Sequence, residues 1–195
     1  MIPAELLETY KAQVKNYTKG ECVFNELETP KHFYQIKHGQ IKMYNLTEDG
    51  KEFTQGFFES GFSFGEPPLI GNFKYPASAK CVTDCSVYVI DKTSFFKLLE
   101  EHPKLLFKFT QGLCKRMHYK AKTMKEVSVY PPEHRIISLI SYLKESSNTM
   151  GLYEVKLTRQ QIGELTGLRV ETVIRSIKSL EKTKVLSIVN RKVFL

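Results

Sequence analysis

Apolar and polar positions follow three different rhythms along this 195-residue chain. At the start, Leu6, Leu7, Tyr10, Val14 and Tyr17 recur at helical spacing, and Pro3 stands where a missing N–H costs least. That pattern predicts a helix over residues 4–17. From Gly20 to about Asp91 the rhythm shortens. β-rich runs (ECVFN, HFYQIKHG, QIKMYNL, KEFTQGFF, SAKCVTD and CSVYVID) alternate with the joints HGQ, EDGK and GNFKYP. Strands at this spacing predict a sandwich or barrel. Asp91 is then placed to cap a helix running to about Glu101.

The third rhythm is helical again. Leu106, Phe109, Leu113, Met117, Ala121 and Met124 follow at spacings of three or four within a segment from Pro103 to about Val129. At 1.5 Å per residue such a helix is about 40 Å long, with a continuous apolar stripe. It can lie across its own barrel, or pair with a copy of itself along the stripe. Pro131 and Pro132 end it, because neither continues a helix and Pro131 biases Tyr130 towards an extended backbone. Pro132 can open the next helix, which places Ile136, Leu139, Ile140 and Leu143 on one face. The proline pair marks a domain boundary and candidate hinge, and SSNTMG reads as a polar loop.

Charge changes the picture for the last third of the chain. Residues 131–195 hold 11 Lys and Arg against 6 Glu and no Asp, a net of +5 out of the chain's +8. This asymmetry favours a polyanion partner for that part. It contains LTRQQIGELTGLRVETVIRSIKSLEK, residues 157–182. Thr158 and Gln161 form a capping box that starts a helix at Arg159. Gly167 supplies a sharp turn, and a second helix opens near Arg169 with Val173, Ile177 and Leu180 facing inward. A hairpin with its turn at Asn190-Arg191 follows. These parts together predict a winged helix-turn-helix. The second helix of such a unit enters the major groove of double-stranded DNA. Arg169, Glu171, Thr172, Arg175 and Lys178 are its exposed residues. Arg can take guanine bidentately and Glu can accept from cytosine N4. Glu171 and Arg175, four apart, could instead form a salt bridge on a solvated face.

This segment resembles the DNA-binding signature of the CRP/FNR family, the catabolite activators and fumarate–nitrate regulators. The matching residues are Leu157-Thr158-Arg159-Gln160, Ile162-Gly163, Gly167, Glu171-Thr172-Val173, Arg175 and Leu180-Glu181. Gly65-Glu66, Lys115-Arg116 and Arg135-Ile136 extend the resemblance over the chain. It implies an α+β protein with three parts. Residues 1–101 would be a β-roll sensor domain of the cyclic-nucleotide-binding type, 102–130 a long dimerisation helix and hinge, and 131–195 the DNA-binding domain. It further implies a homodimer on a palindrome, with RNA polymerase as a partner. By position, Thr158, Arg159, Gln160 and Thr172 would touch the DNA backbone, and Glu171 and Arg175 would read bases. Arg169, in a position usually small, would grip phosphate. Val170-Glu171 resembles the fumarate–nitrate branch and implies a TTGA-like half-site, while Ile174 departs from that branch's serine.

The resemblance makes SFGEPPLIGNFKYPASA, residues 63–79, a phosphate cassette. Gly65 and Glu66 keep the family pattern. The Arg-Ser pair that grips a cyclic phosphate is replaced at Tyr75-Pro76, and a phenol cannot replace a guanidinium fork. The adenine-contacting pair matches Lys120-Ala121. Lys74 and Lys120 remain as cations near a candidate effector pocket, and cyclic AMP is not expected there. The aromatics Phe57, Phe58, Phe62, Phe64, Phe73 and Tyr75 either line an apolar pocket or fill a core.

Other chemistries have little support. Cys22, Cys81, Cys85 and Cys114 form no CxxC pair, so neither an iron–sulfur cluster nor another metal site is expected. Cys81 and Cys85 would share one face of a strand as buried apolar thiols. The five histidines show no ligand spacing. No apolar run approaches the length of a membrane span, and the acidic N-terminus is unlike a secretory signal, so the cytoplasm is expected. The competing reading is a ligand-binding or metal-dependent cupin-like β-barrel with a basic accessory domain. It would need a His-x-His plus Glu cluster that the sequence lacks, and no nucleophile–base constellation suggests an enzyme.

Overall fold

The computed structural model describes residues 2–46, 48, 50, 52–147 and 149–195, the side chains of residues 122 and 126–128 excepted. The turn expected at EDGK and the loop expected at SSNTMG lie partly outside the described residues, at Asp49, Lys51 and Asn148. The chain divides into two compact units, Met1–Cys114 and Lys115–Leu195.

The first unit runs α1 (Ala4–Thr9), β1 (Gln13–Tyr17), β2 (Cys22–Phe24), β3 (His32–His38), β4 (Gln40–Leu46), β5 (Glu52–Glu59), β6 (Ser63–Phe64), α2 (Glu66–Gly71), β7 (Ser78–Cys81), β8 (Cys85–Asp91) and α3 (Lys92–Glu101). The strands form two four-stranded antiparallel sheets, β1-β8-β3-β6 and β2-β7-β4-β5. The chain passes from one sheet to the other at almost every connection, so the two sheets close into a roll. Side chains alternate along β3 and β8. Tyr34, Ile36, Val87 and Val89 point into the roll, where they meet Phe24, Ile41, Ala79 and Cys81 of the opposite sheet. Phe33, Tyr88 and Ile90 point outward and bury Leu7, Leu69, Phe95 and Leu98 of the three helices. With both faces covered, β3 and β8 are the apolar centre of the unit.

Three expectations change here. The helix predicted over 4–17 stops at Thr9. Lys11 turns the backbone at φ 63°, and residues 13–17 pair with β8 as an edge strand. Without them β8 would leave one row of backbone groups unpaired, so tertiary pairing overrides the helical spacing. Cys81 and Cys85 do not share a strand. One ends β7 and the other begins β8 in the opposite sheet, although both are buried in the same core. Finally, the strand Ser63–Phe64 and the short helix Glu66–Gly71 lie where the sequence pattern predicted no element.

The helix α4 (Pro103–Val129) forms over the span predicted and passes from the first unit into the second. Then come α5 (Pro132–Ser146), β9 (Glu154–Val155), α6 (Arg159–Thr166), α7 (Val170–Lys182), β10 (Ser187–Val189) and β11 (Lys192–Phe194). Asp91 caps α3 through the Ser94 N–H as expected. Asn190 and Arg191 make the hairpin turn at φ 50° and 65°, between Val189 and its partner Lys192. Positive φ at both turn positions matches the twist of a two-residue hairpin. The sequence did not suggest β9, which adds a third strand to this wing. Ile136, Ile140, Ile162, Val173, Ile177 and Val193 are buried in the core of the second unit.

The turn between α6 and α7 depends on two glycines for different reasons. Gly167 ends α6 at φ 67°, with open space around it. Gly163 has ordinary backbone angles, but a Cβ there would stand 2.6 Å from the Leu168 carbonyl oxygen. The chain after the turn folds back on this bare position, and the Leu168 N–H donates to the Gly163 oxygen at 3.0 Å. Gly163→Ala should therefore lower stability by about 1–3 kcal/mol, because backbone has to shift. Gly167→Ala should cost roughly 1–2 kcal/mol from its left-handed conformation alone. Urea unfolding of the two variants checks this. An unperturbed Gly163→Ala would remove the close approach as a constraint on the turn.

Candidate nucleic-acid interface and effector chamber

The helix α7 is sharply two-faced. Val173, Ser176, Ile177 and Leu180 are buried, at the three- and four-residue spacing of one helix face. The opposite face carries Glu171, Arg175 and Lys178, all exposed. Glu171 and Arg175 stand four apart, yet among the described residues neither forms an ion pair. The two therefore do not pair with each other, and both side chains are exposed to solvent. Arg169 is the exposed N-cap residue, and Thr172 is half-buried beside Glu171.

At the start of α6 the capping box closes in both directions. The Thr158 N–H donates to Gln161 Oε1 at 2.9 Å, and the Gln161 N–H donates to Thr158 Oγ1 at 3.1 Å. Arg159 is half-buried, and burial lowers its guanidinium below the usual value, though it stays a cation. The Gln160 amide donates to Glu164 at 3.2 Å along its own helix. Six of the eight residues named from the sequence thus expose polar or charged groups around α6 and α7, with Arg159 and Thr172 half-buried among them.

A supporting layer lies behind this surface. Ser176 donates to Glu133 Oε1 at 3.0 Å and ties α7 to the first turn of α5. Tyr119 and Tyr142 stack at 3.6 Å and 13°, joining α4 to α5 across the proline break. Arg135 Nε donates to the Tyr130 carbonyl at 2.9 Å, and the Tyr130 ring stacks on His134. Sequence reasoning missed Glu133, Ser176, Tyr119 and Tyr142. Ser176 carried a signal, since a polar residue on the buried spacing of α7 requires a partner.

In the roll, Gly65, Glu66 and Tyr75 come together, but around rings rather than around space. Phe24 and Tyr75 stack at 3.7 Å and 10°. Phe24, Tyr34 and Phe64 complete the cluster at centroid distances of 5.4–5.9 Å. All four rings are buried. Gly65, at φ 71°, passes so close that a Cβ would lie 2.8 Å from the Phe24 ring. Glu66 is fully buried and accepts from Ser63 Oγ at 3.0 Å. The backbone of Tyr75 is fixed to the β2–β3 connection, its N–H donating to the Glu28 oxygen and its oxygen accepting from the Leu27 N–H. Of the aromatics flagged in the sequence, Phe64 and Tyr75 fill the core, while Phe62 and Phe73 are exposed. A recess of about 360 Å³ borders the cluster beside Glu28, Lys31 and His32 and opens to solvent. Lys74 is exposed next to Tyr75. Lys120 lies on α4 within the second unit; it is exposed, and partial desolvation by the surrounding side chains and then Arg116 lower its ammonium below the usual value.

On α4, Phe109 turns edge-on to Phe33 and Phe95 of the first unit. Leu113 is half-buried, and Leu106, Met117, Ala121 and Met124 are exposed.

Comparison with known proteins agrees with both halves. Residues 14–102 match the cyclic nucleotide-binding domain family, and residues 134–195 match the Crp-like helix-turn-helix domain family. The cAMP-activated global transcriptional regulator CRP of Haemophilus influenzae is 29% identical over 154 residues, 76% of this chain and 68% of that protein. The nitrogen fixation regulation protein FixK of Bradyrhizobium diazoefficiens is 26% identical over 183 residues, 90% of this chain and 74% of that one. The solved structure of FixK2 from Bradyrhizobium japonicum superposes with a TM-score of 0.77 at 22% identity, covering 94% of this chain and 92% of that one.

The ring cluster makes a test of its own. Among the described residues the buried Tyr75 hydroxyl makes no hydrogen bond of ordinary geometry, and its one polar neighbour of hydrogen-bonding kind is the equally buried Tyr34 hydroxyl, which interacts with it too poorly to replace water. Burial first, and then the nearby Tyr34, raise its ionisation well above the ordinary phenol value. Burial likewise pushes Tyr34 up to about 12 from 10.0. A raised phenol favours the fold while it is neutral. That contribution is present below pH 10 and is lost as pH rises towards 12. Tyr75→Phe should be neutral or stabilising by about 1 kcal/mol at pH 7, and should retain more stability above pH 10. Thermal unfolding across that range checks both, and a clear loss at pH 7 would show that the hydroxyl is satisfied.

Proposed function

The chain belongs to the CRP/FNR family of DNA-binding transcription regulators, and on that footing we propose that it acts as a homodimer on a palindromic DNA site, with a sensor domain that does not respond to cyclic AMP. The observation that carries this reading is the outward face of α7, where Glu171 and Arg175 are exposed and not paired with each other. Arg175 takes guanine O6 and N7, and Glu171 accepts from cytosine N4. Thr158, Arg159, Gln160, Arg169, Thr172 and Lys178 contact phosphates and fix the register. A half-site with a TTGA-like core follows from Val170-Glu171.

Dimerisation is supported by the exposed apolar residues Leu106, Met117, Ala121 and Met124 on α4. A dimer places two recognition helices in successive major grooves, about 34 Å apart. In this proposal residues 1–101 are the sensor, 102–130 the dimer helix and 131–195 the DNA-binding domain, with RNA polymerase as the further partner. Two features argue against cyclic AMP. Tyr75 stands where the phosphate grip belongs, and its ring with Phe24, Tyr34 and Phe64 fills the roll. An effector of any kind shifts the protein only through different affinity for its two states.

Arg175→Ala should cost roughly 1–3 kcal/mol on a matched palindrome and relax preference at one G·C pair per half-site. Fluorescence anisotropy at several salt concentrations reads this, and an equal loss on all sequences would make Arg175 a phosphate contact instead. Titration calorimetry with cyclic AMP should show no binding in the micromolar range, whereas tight binding would overturn the reading of the filled roll.

A further inference from the structure

The inward face of α7 is apolar except at one position. Val173, Ile177 and Leu180 are buried there together with Ser176, which is 3% exposed. Apolar packing alone could complete this face, since α7 lies against α5, whose Ile136 and Ile140 are fully buried. A hydroxyl in that setting needs a hydrogen bond to offset its desolvation. It donates to Glu133 Oε1 at 3.0 Å. Glu133 stands in the first turn of α5, where N–H groups without helical partners favour a carboxylate. A hydroxyl donating to a carboxylate makes the stronger, charge-assisted kind of hydrogen bond.

Burial does not require this bond, but orientation does. Apolar contact is non-directional, so an apolar face lets a helix turn at little cost. The close approach of Leu168 to Gly163 fixes the start of α7, yet one fixed point still allows a pivot. Ser176 lies near the middle of the helix, roughly 9 Å along it from Val170. A directional bond there supplies a second fixed point. Side chains on the outer face stand about 6 Å from the helix axis, so a rotation of about 10° moves them by about 1 Å. The paired hydrogen bonds of a bidentate guanine contact tolerate only a few tenths of an ångström, on the order of the spread of ordinary bond lengths. A flexible lysine follows such a movement and keeps its phosphate.

Resting on the DNA-binding reading above, we infer that Ser176 and Glu133 are positioning residues for sequence discrimination, their hydrogen bond holding α7 at the rotation in which Glu171 and Arg175 meet base edges. The bond therefore serves the matched duplex alone. Binding that phosphates carry does not depend on it.

Fluorescence anisotropy on two duplexes reads that split. One is the palindrome that the wild-type protein selects from a randomised pool, and the other has the same length and composition with its half-sites scrambled. Ser176→Ala should weaken binding to the selected duplex about tenfold, within the worth of one misaligned bidentate contact, and leave affinity and salt dependence on the scrambled duplex unchanged. Glu133→Ala breaks the same bond from α5 and should give the same split. The two changes together should cost no more than either alone. Glu133→Gln keeps a carbonyl acceptor for the Ser176 hydroxyl and should retain most of the discrimination. Thermal unfolding of each variant separates loss of fold from loss of orientation, and if Ser176→Ala does not fold, the half-buried Glu133 still decides through its alanine and glutamine variants. If the alanine variants keep the wild-type ratio between the two duplexes, or weaken both duplexes equally, the inference is overturned while the base-reading roles of Glu171 and Arg175 stand. If the pool yields no preferred sequence, the regulator reading falls and the inference with it.

Discussion

Tyr75 lies flat on Phe24 inside the roll, and the closed interior of the first unit depends on that contact. The stack at 3.7 Å brings a side chain from the β7 approach against one from β2, and Tyr34 and Phe64 pack around the pair from the other sheet. Rings in such offset and tilted arrangements add attraction beyond the area they bury. The same contact requires Gly65 to have no side chain, because its backbone runs along the Phe24 edge. Glycine also allows the φ of 71° that turns the chain into α2. The short helix, the buried Glu66 and the closed interior are therefore consequences of one packing arrangement. A phosphate-gripping arginine at this place would need water or an anion where the rings now exclude both.

The second unit has its own constraint, the approach of Leu168 to Gly163. That approach sets where α7 starts relative to α6, and hence which side of α7 is turned outward. The half-buried Ser176–Glu133 hydrogen bond and the Tyr119–Tyr142 stack then hold α7 against α5 and α5 against the end of α4. The proline break at 131–132 is thus spanned by side-chain contacts inside one compact unit. Motion of α5 and α7 with respect to the end of α4 has to break aromatic packing and not merely bend two prolines.

Much of this was readable in the residues. The capping box at Thr158 and Gln161, the Gly167 turn, the two-faced spacing of α7 and the Asn190-Arg191 hairpin are local devices. Each follows from side chains a few positions apart, so the DNA-binding half was legible almost element by element. The strands of the roll were legible as a class, since runs such as CSVYVID carry β-branched and aromatic residues between turns. Where local spacing competed with long-range pairing it misled. Val14 and Tyr17 continued the rhythm of Leu6 and Tyr10, but β8 needed a neighbour and took residues 13–17 as a strand. Cys81 and Cys85 looked like one strand because the turn between them, Val82-Thr83-Asp84, carries neither glycine nor proline.

The sequence by itself determined the order of parts, the basic character of the last third and the identity of the groups on the outward face of α7. These depend on composition and on neighbours within one or two helical turns. Only the tertiary structure decided that Phe64 and Tyr75 join Phe24 and Tyr34 in filling the roll. Phe24 and Tyr75 are 51 positions apart, and no periodicity relates them. Only the fold could show that Ser176 is satisfied by Glu133 and that Glu171 and Arg175 leave each other unpaired. Burial and pairing are properties of space between distant segments, and that space exists only once the two sheets and the helices have closed.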